Sequence, residues 1–457
     1  MKKLVLFCLF AAVLTVSLFA QDRPMGYGDN YKFTHNMLAT AINSSGEALE
    51  GGEVWTRAGG FQSLGTLGGT TSGYAINDSG QVAGASTVPS GTFHAFLWSP
   101  RGGMQDLGSL LGGDTYATAI NASGQVAGVS YSPDFGTTHA FFWSAGTGLV
   151  DVGTLNGDAF SSVKGLNAHG EIAGISRPTP GSQGNTAFRW TMAGGIQALL
   201  GFGGDSVPNG INDSGQIAGY STYPDGTQHA ALWAANGSVQ DLGTLLGDTT
   251  SSALFLNGAG HIAGYSGYKL HKNRGAVNRT FFWTPEGGMI DLMVGTGPLY
   301  VPHALNQRDQ VLAHAASTYI WSPTLRAQAV AGGVLTPTGA FNDAGVFSGR
   351  LNTNGNEYLL NPVMHVALTS SQNPSHAGQS VTFTANVSSI VALPPDGEQV
   401  AFKDGSKTLG TGTLSSGVAS FATSTLKVGT HNITAVYAGD GNYFPNKSAK
   451  LSQVVTQ

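Results

Sequence analysis

Residues Tyr74–Leu110 read YAINDSGQVAGASTVPSGTFHAFLWSPRGGMQDLGSL. The stretch holds four short apolar or alternating runs, Tyr74–Asn77, Gln81–Ala85, His94–Trp98 and Met104–Gly108, with turn chemistry between them. Asn77-Asp78-Ser79-Gly80 joins the first run to the second: an Asn side chain can cap such a turn, and Gly tolerates positive φ. Ser99–Gly103 joins the third to the fourth. Runs of this length with period-two alternation are strands.

The stretch repeats. Asn-x-x-Gly recurs at Asn43, Asn77, Asn121, Asn167, Asn212, Asn257 and Asn342, with a degenerate copy at Asn306, at spacings of 34 to 49 residues. All seven tryptophans, Trp55, Trp98, Trp143, Trp190, Trp233, Trp283 and Trp321, fall in phase, and Leu360 takes the place of an eighth. Four strands per unit and one Trp per period are the pattern of a β-propeller blade. Solenoid coils have shorter periods, helical repeats need a 3.6-residue period, and separate sandwiches need about seven strands each. The first strand, a, is the inner one, because Ala75, Ala117 and Gly210 are small enough to crowd an axis. Trp and Phe of strand c fill the wedge between neighbouring blades. The last unit lacks a strand d, and the lead segment Tyr31–Thr34 can supply it. The reading is all-β, with eight blades over residues 31–362; seven is the alternative count. Residues 363–457 drop the repeat for clean alternation, as in Val381–Val387 and Ile433–Tyr437, and read as an immunoglobulin-like β-sandwich.

Composition agrees with this class. Charged residues are 10% of the 457, against roughly 25% in an ordinary domain, and 67 residues are Gly. A net charge of −5 and a pI near 6.2 give no electrostatic case for nucleic acid. Residues 1–20 have a Lys2-Lys3 start and an apolar Leu4–Leu14 run, the pattern of a signal peptide cut after Ala20; an uncleaved anchor is the alternative. No second run is long enough to span a membrane. The only cysteine, Cys8, lies in this leader, so the mature chain has no disulfide, thiolate metal site or cysteine nucleophile. The expected location is outside the cell or on its surface.

With His94-Ala95-Phe96, His139-Ala140-Phe141, Gly65–Gly69, Asp106–Gly108 and Ile76–Gly84 in view, residues 37–360 resemble the HAF family, described as probable extracellular bacterial repeats. The fifth copy departs to His229-Ala230-Ala231, and the fourth and sixth read Thr186 and Thr280 for the His. The tail, with Gly378–Phe383, Val400–Gly405 and Ile433–Asp440, resembles bacterial Ig-like repeats of large surface proteins. Neither family has a settled activity. The resemblances imply secretion, architecture and a bacterial source, with no chemistry attached.

Candidate chemistry is sparse. His94, His139 and His229 lie on different blades, too far apart to share one ion whose ligands sit about 2 Å away. Asp106, Asp151, Asp241 and Asp291 recur in strand d, so they are scaffold, expected to accept backbone hydrogen bonds across blades; a catalytic pair breaks repeat symmetry. Asp114, Asp158, Asp205 and Asp248 follow Gly in the d–a crossovers and ring one face, where weak ion binding is the functional alternative to scaffold. No catalytic residue, resident metal or cofactor is assigned. The b–c loops vary most, and variable loops on a rigid repeat are where binding sits. Tyr131, Phe135, Tyr223 and Tyr268 can stack on sugars, and the longest loop, Tyr265–Thr280, adds Lys269, Lys272 and Arg274 for an anionic glycan or acidic protein surface. The expected function is non-catalytic binding or adhesion to glycan or protein. A polysaccharide-acting enzyme and a purely structural envelope protein are the alternatives.

Overall fold

The computed structural model describes residues 31–457 except 36, 38, 180–183, 270–275, 295–296, 299–300, 316, 325, 332–334, 352–356 and 390. The leader, Lys272 and Arg274 fall outside the described residues, and of Lys269 only the backbone is described.

Among the described residues, eight four-stranded antiparallel meanders follow one another; the third and fourth are joined by one parallel bridge, Thr138 to Phe160. The second is typical, with strands Thr71–Ile76, Val82–Thr87, Phe93–Ser99 and Gly103–Gly108 as a to d. The eighth takes a, b and c from Leu335–Phe341, Phe347–Leu351 and Glu357–Pro362. Its fourth strand is Tyr31–His35, paired antiparallel to Glu357–Pro362, so the two ends of the repeat close one blade. Inner strands of successive blades touch all the way round, including Ala41–Ile42 of blade 1 against Leu335–Phe341 of blade 8. The result is a closed eight-bladed propeller.

Apolar cores lie between blades. One cluster combines Ala83, Ala95, Leu97 and Leu107 of blade 2 with Val126, Phe141 and Trp143 of blade 3. The others repeat this with the same positions one blade on. All seven tryptophans are at most 6% exposed, which places them in the wedges. Truncating one would cost about 3–5 kcal/mol.

The Asn-x-x-Gly turns add a second, polar frame. Each Asn Oδ1 accepts the N–H groups two and four residues on, at 2.9–3.1 Å, which closes the a–b turn. Each Nδ2 donates to the backbone carbonyl of the next blade's Asn: Asn43 to Asn77, Asn77 to Asn121, Asn121 to Asn167 and Asn167 to Asn212, at 3.0–3.1 Å. Asn212, Asn257 and Asn306 continue the ladder, and Asn342 donates to the Asn43 carbonyl at 3.0 Å. The eight amides form a closed ring and are 1–7% exposed. Asn306, degenerate by motif, keeps its place because only the Asn is needed for the ladder.

The Ig-like module is a sandwich of two sheets. His365–Ser370, Val381–Ser388 and Val418–Thr423 make one; Gln399–Asp404, Lys407–Thr413, Gly429–Tyr437 and Leu451–Thr456 make most of the other. Val381, Phe383, Ala385 and Val387 point inward, as their alternation requires. In each blade the a–b and c–d turns share one face of the ring, and the b–c loops and d–a crossovers share the opposite one. The module packs on the a–b face, where Met364, Val391 and Tyr443 belong to one core cluster with residues of blades 7, 8 and 1.

The ladder makes a checkable demand. Asn167→Ala should lower stability by about 3 kcal/mol, because part-buried N–H groups of the turn lose their acceptor and the buried Asn212 carbonyl loses its donor. Asn167→Asp, made together with Glu171→Gln so that no second carboxylate faces it, keeps that acceptor but loses the inter-blade donor, so its denaturation midpoint against Glu171→Gln alone reports the ladder bond. A double variant as stable as Glu171→Gln alone would show that the ladder contributes nothing.

Candidate functional site

The b–c face is built on the inner strands. Strand a of each of blades 2 to 7 slips register by one residue against strand b, a β-bulge, at Tyr74, Thr118, Lys164, Asn209, Leu254 and His303. Bulges re-aim a side chain out of the ladder. Tyr74, Thr118 and Lys164 are exposed although they sit on the innermost strands, so their side chains open on the central channel. The bulged position changes identity in every blade, while its neighbours are mostly Ala or Gly. This variable site between constant small residues was the sequence signal for the channel lining, and the repeat-level reading passed over it.

Tyr74 starts a run of aromatic rings that leads outward. Its ring lies 6.4 Å from Tyr116, which is 5.5 Å from Phe93 and 6.1 Å from Tyr131. Tyr131 in turn is 5.8 Å from Phe135. Five rings of blades 2 and 3 thus connect the channel to the rim. Asp114 in the crossover fixes two of them, accepting the Phe93 N–H at 2.9 Å and the Tyr116 hydroxyl at 3.3 Å. Burial, then the Asp114 carboxylate, push the Tyr116 hydroxyl up to about 12, so it stays a neutral donor.

Phe135 has an unusual backbone. It lies at φ 58°, in the left-handed region. Its N–H donates to the Ser132 carbonyl, as Gly91 does to Val88 and Gly226 to Tyr223 in the matching loops of blades 2 and 5. Those two positions carry Gly at φ 89° and 84°. A side chain there costs about 1–2 kcal/mol. The ring that bears this cost is 58% exposed, so its own packing does not repay it.

The other expected residues lie elsewhere. Tyr223 of blade 5 stacks on Phe202 at 5.0 Å and donates to Asp241 at 2.8 Å. Tyr268 is exposed on strand b of blade 6, paired with Val277. No ring contact joins either to the five-ring run among the described residues. The expected loop Tyr265–Thr280 is largely ladder: Tyr265 pairs with Thr280 and Lys269 with Ala276, so strands b and c extend as a long hairpin.

The repeated His and Asp prove to be partners within one blade. His94 bonds Asp106 at 3.0 Å, His139 bonds Asp151 at 2.9 Å and His229 bonds Asp241 at 2.8 Å. Each Asp also accepts the N–H of the Gly two residues on, at 2.7 Å. These carboxylates therefore clasp strand c to strand d and do not reach across blades as expected. The register sets each Asp opposite the residue two beyond the His (Phe96, Phe141, Ala231), and period two puts that residue and the His on one face, so His and Asp meet diagonally. Register also moves the sixth copy: Arg279, not Thr280, stands in the His position, and it pairs with Asp291 at 2.6 Å. In blade 4 the His and the Asp are both lost, to Thr186 and Ala198. The crossover carboxylates are engaged too: Asp158 accepts the Ser176 hydroxyl at 2.7 Å, and Asp248 pairs with Arg279 at 2.8 Å. Among the described residues, no three His, Cys, Asp or Glu side chains are grouped to hold a metal.

Comparison with known proteins adds the following. Residues 368–456 match the family model of the bacterial Ig-like domain (group 3). No curated protein matches the chain. Solved structures with a similar course include TolB from Acinetobacter baumannii, at 12% identity over 59% of this chain and 76% of that one, TM-score 0.32. The dipeptidyl peptidase 4 of Porphyromonas gingivalis is 10% identical over 78% of this chain and 65% of that one, TM-score 0.46. The β-propeller domain of the Trilobed protease from Pyrococcus furiosus is 10% identical over 61% and 88%, TM-score 0.39. Among the described residues no helix is long and apolar enough to cross a membrane.

The bulged His303 sets a pH limit on the fold. Burial, then the nearby His314, hold its pKa down to about 4. Unfolded, it titrates near 6.5. Between these values the unfolded chain binds a proton that the folded chain does not, so stability is complete above about pH 6.5 and falls on acidification toward pH 4. The full loss is about 3 kcal/mol. Thermal unfolding from pH 7 to 4 should show this fall, and His303→Asn should reduce it to the share of His314, whose pKa burial also lowers; an equal fall in the variant would assign it to other groups.

Proposed function

We propose that the chain is a secreted, non-catalytic binding protein whose b–c face holds a glycan on the rings of blades 2 and 3. The reading takes residues 31–362 as a HAF-type propeller and residues 363–457 as its Ig-like module. The leader at 1–20, the low charge and the Ig-like match at 368–456 are compatible with an extracellular protein.

The observation that carries the proposal is Phe135, an exposed aromatic side chain at a strained position where sister loops use Gly. Strain that persists without a packing return points to function. Aromatic faces offer a sugar its apolar side, and Tyr hydroxyls along the run offer hydrogen bonds. An enzyme would need carboxylates in unequal settings. Asp106 and Asp151 sit in equivalent clasps and Asp241 differs from them by the Tyr223 hydroxyl alone, so these three carboxylates do not support that second reading.

Phe135→Gly restores the sister-loop residue. It should leave stability unchanged or raise it by about 1 kcal/mol. It should also weaken capture on a glycan array about tenfold or more, since losing a stacked ring removes about 1.4 kcal/mol. Retained glycan capture would sink the platform assignment. Capture of proteins with an empty glycan array would move the same face to a protein ligand.

A further inference from the structure

The Asn ladder has two irregular seams: in blade 6 Asn257 donates to Asp309 of the next blade at 2.7 Å, and in blade 8 the Ig-like module fills the gap. In six blades the ladder Asn also donates to a Gln or Glu four residues on, as Asn77 does to Gln81 at 2.9 Å and Asn167 to Glu171 at 2.8 Å. In blade 8 that position is Val346, which has no side-chain acceptor. Asn342 donates instead to Oδ1 of Asn442, from a loop of the module, at 2.8 Å.

This loop sits where the two ends of the repeat meet. Blade 8 has no covalent link between its third strand, Glu357–Pro362, and its fourth, Tyr31–His35, which pair as an antiparallel ladder. Opening that pair would part the fourth strand and blade 1 from the rest of blade 8 and the module. The loop grips both sides. On the blade 8 side, Asn442 accepts from Asn342 and its carbonyl accepts from Asn361 at 2.7 Å. On the blade 1 side, Asn442 Nδ2 donates to the Ser44 carbonyl at 2.8 Å, and Arg57 Nη1 donates to the Asp440 carbonyl at 2.7 Å. Arg57 also lies over the Phe444 ring, 4.5 Å from its centroid. The contact is close enough to need Gly441, where a Cβ would come within 2.2 Å of the Ser45 carbonyl oxygen. Asp440 accepts the N–H groups of Asn442 and Tyr443, both at 2.8 Å, so the loop holds its shape without the propeller.

We infer that the Ig-like module is the lock of the propeller, its Asp440–Tyr443 loop clamping the non-covalent blade shut from the face opposite the aromatic run. The module is then a fixed part of the ring and not a swinging spacer.

Hydrogen exchange on the full chain tests the lock. Asn442→Ala should speed exchange about tenfold or more at Tyr31–His35 and Glu357–Pro362, with blades 3 to 5 and Val381–Ser388 of the module unchanged. Ser370→Ala removes a hydrogen bond inside the module, to Gln453, away from the seam, and should leave both strands protected. Unchanged exchange at the two strands in Asn442→Ala overturns the lock. So does acceleration spread evenly over all blades, which would mean general destabilisation. Neither result bears on glycan capture.

Discussion

A closed ring of eight buried Asn side chains is the interaction on which the rest of the structure depends. A primary amide taken out of water is costly unless its donors and acceptor are used. Here each Oδ1 closes its own turn and each Nδ2 reaches the next blade, so one residue type serves local and long-range structure together. That coupling ties each blade to the next around the axis. The apolar wedges, with one Trp or its substitute per blade, then fill between them.

Against this constant frame, two sets of positions vary. One is the bulged residue of strand a, the other the b–c loop. The exposed bulged residues open on the central channel and the b–c loops on the face away from the Ig-like module. Blades 2 and 3 join the two sets through Tyr74, Tyr116, Tyr131 and Phe135. Repetition thus separates roles within each blade. The His–Asp clasp and the Asn ladder recur because they hold strands. The rings differ from blade to blade because the fold does not require them.

Much of the architecture was legible. Strand order, the inner position of strand a, the in-phase Trp and the closure by Tyr31–His35 follow from motif spacing and from the missing strand d. The site was legible only in part. Tyr131 and Phe135 stood out as aromatics in variable loops, but Tyr223 stood out equally and turns out to be spent on Phe202 and Asp241. The pairing of His with Asp was hidden because the two lie 12 residues apart on adjacent strands. Their joint loss in blade 4 and the Arg279 substitution were signals, available once the copies were aligned by strand register.

The sequence by itself determined the repeat, and with it the ring, because period-two alternation, turn residues and one Trp per unit leave few other ways to bury the apolar side. Only the tertiary structure decided which rings meet, which Asp is occupied and where the Ig-like module rests. Those outcomes turn on bulges, on positive φ at Phe135 and on contacts between residues as far apart as Ser44 and Asn442. Such contacts leave no periodicity in the chain, because each depends on how whole blades are set beside one another.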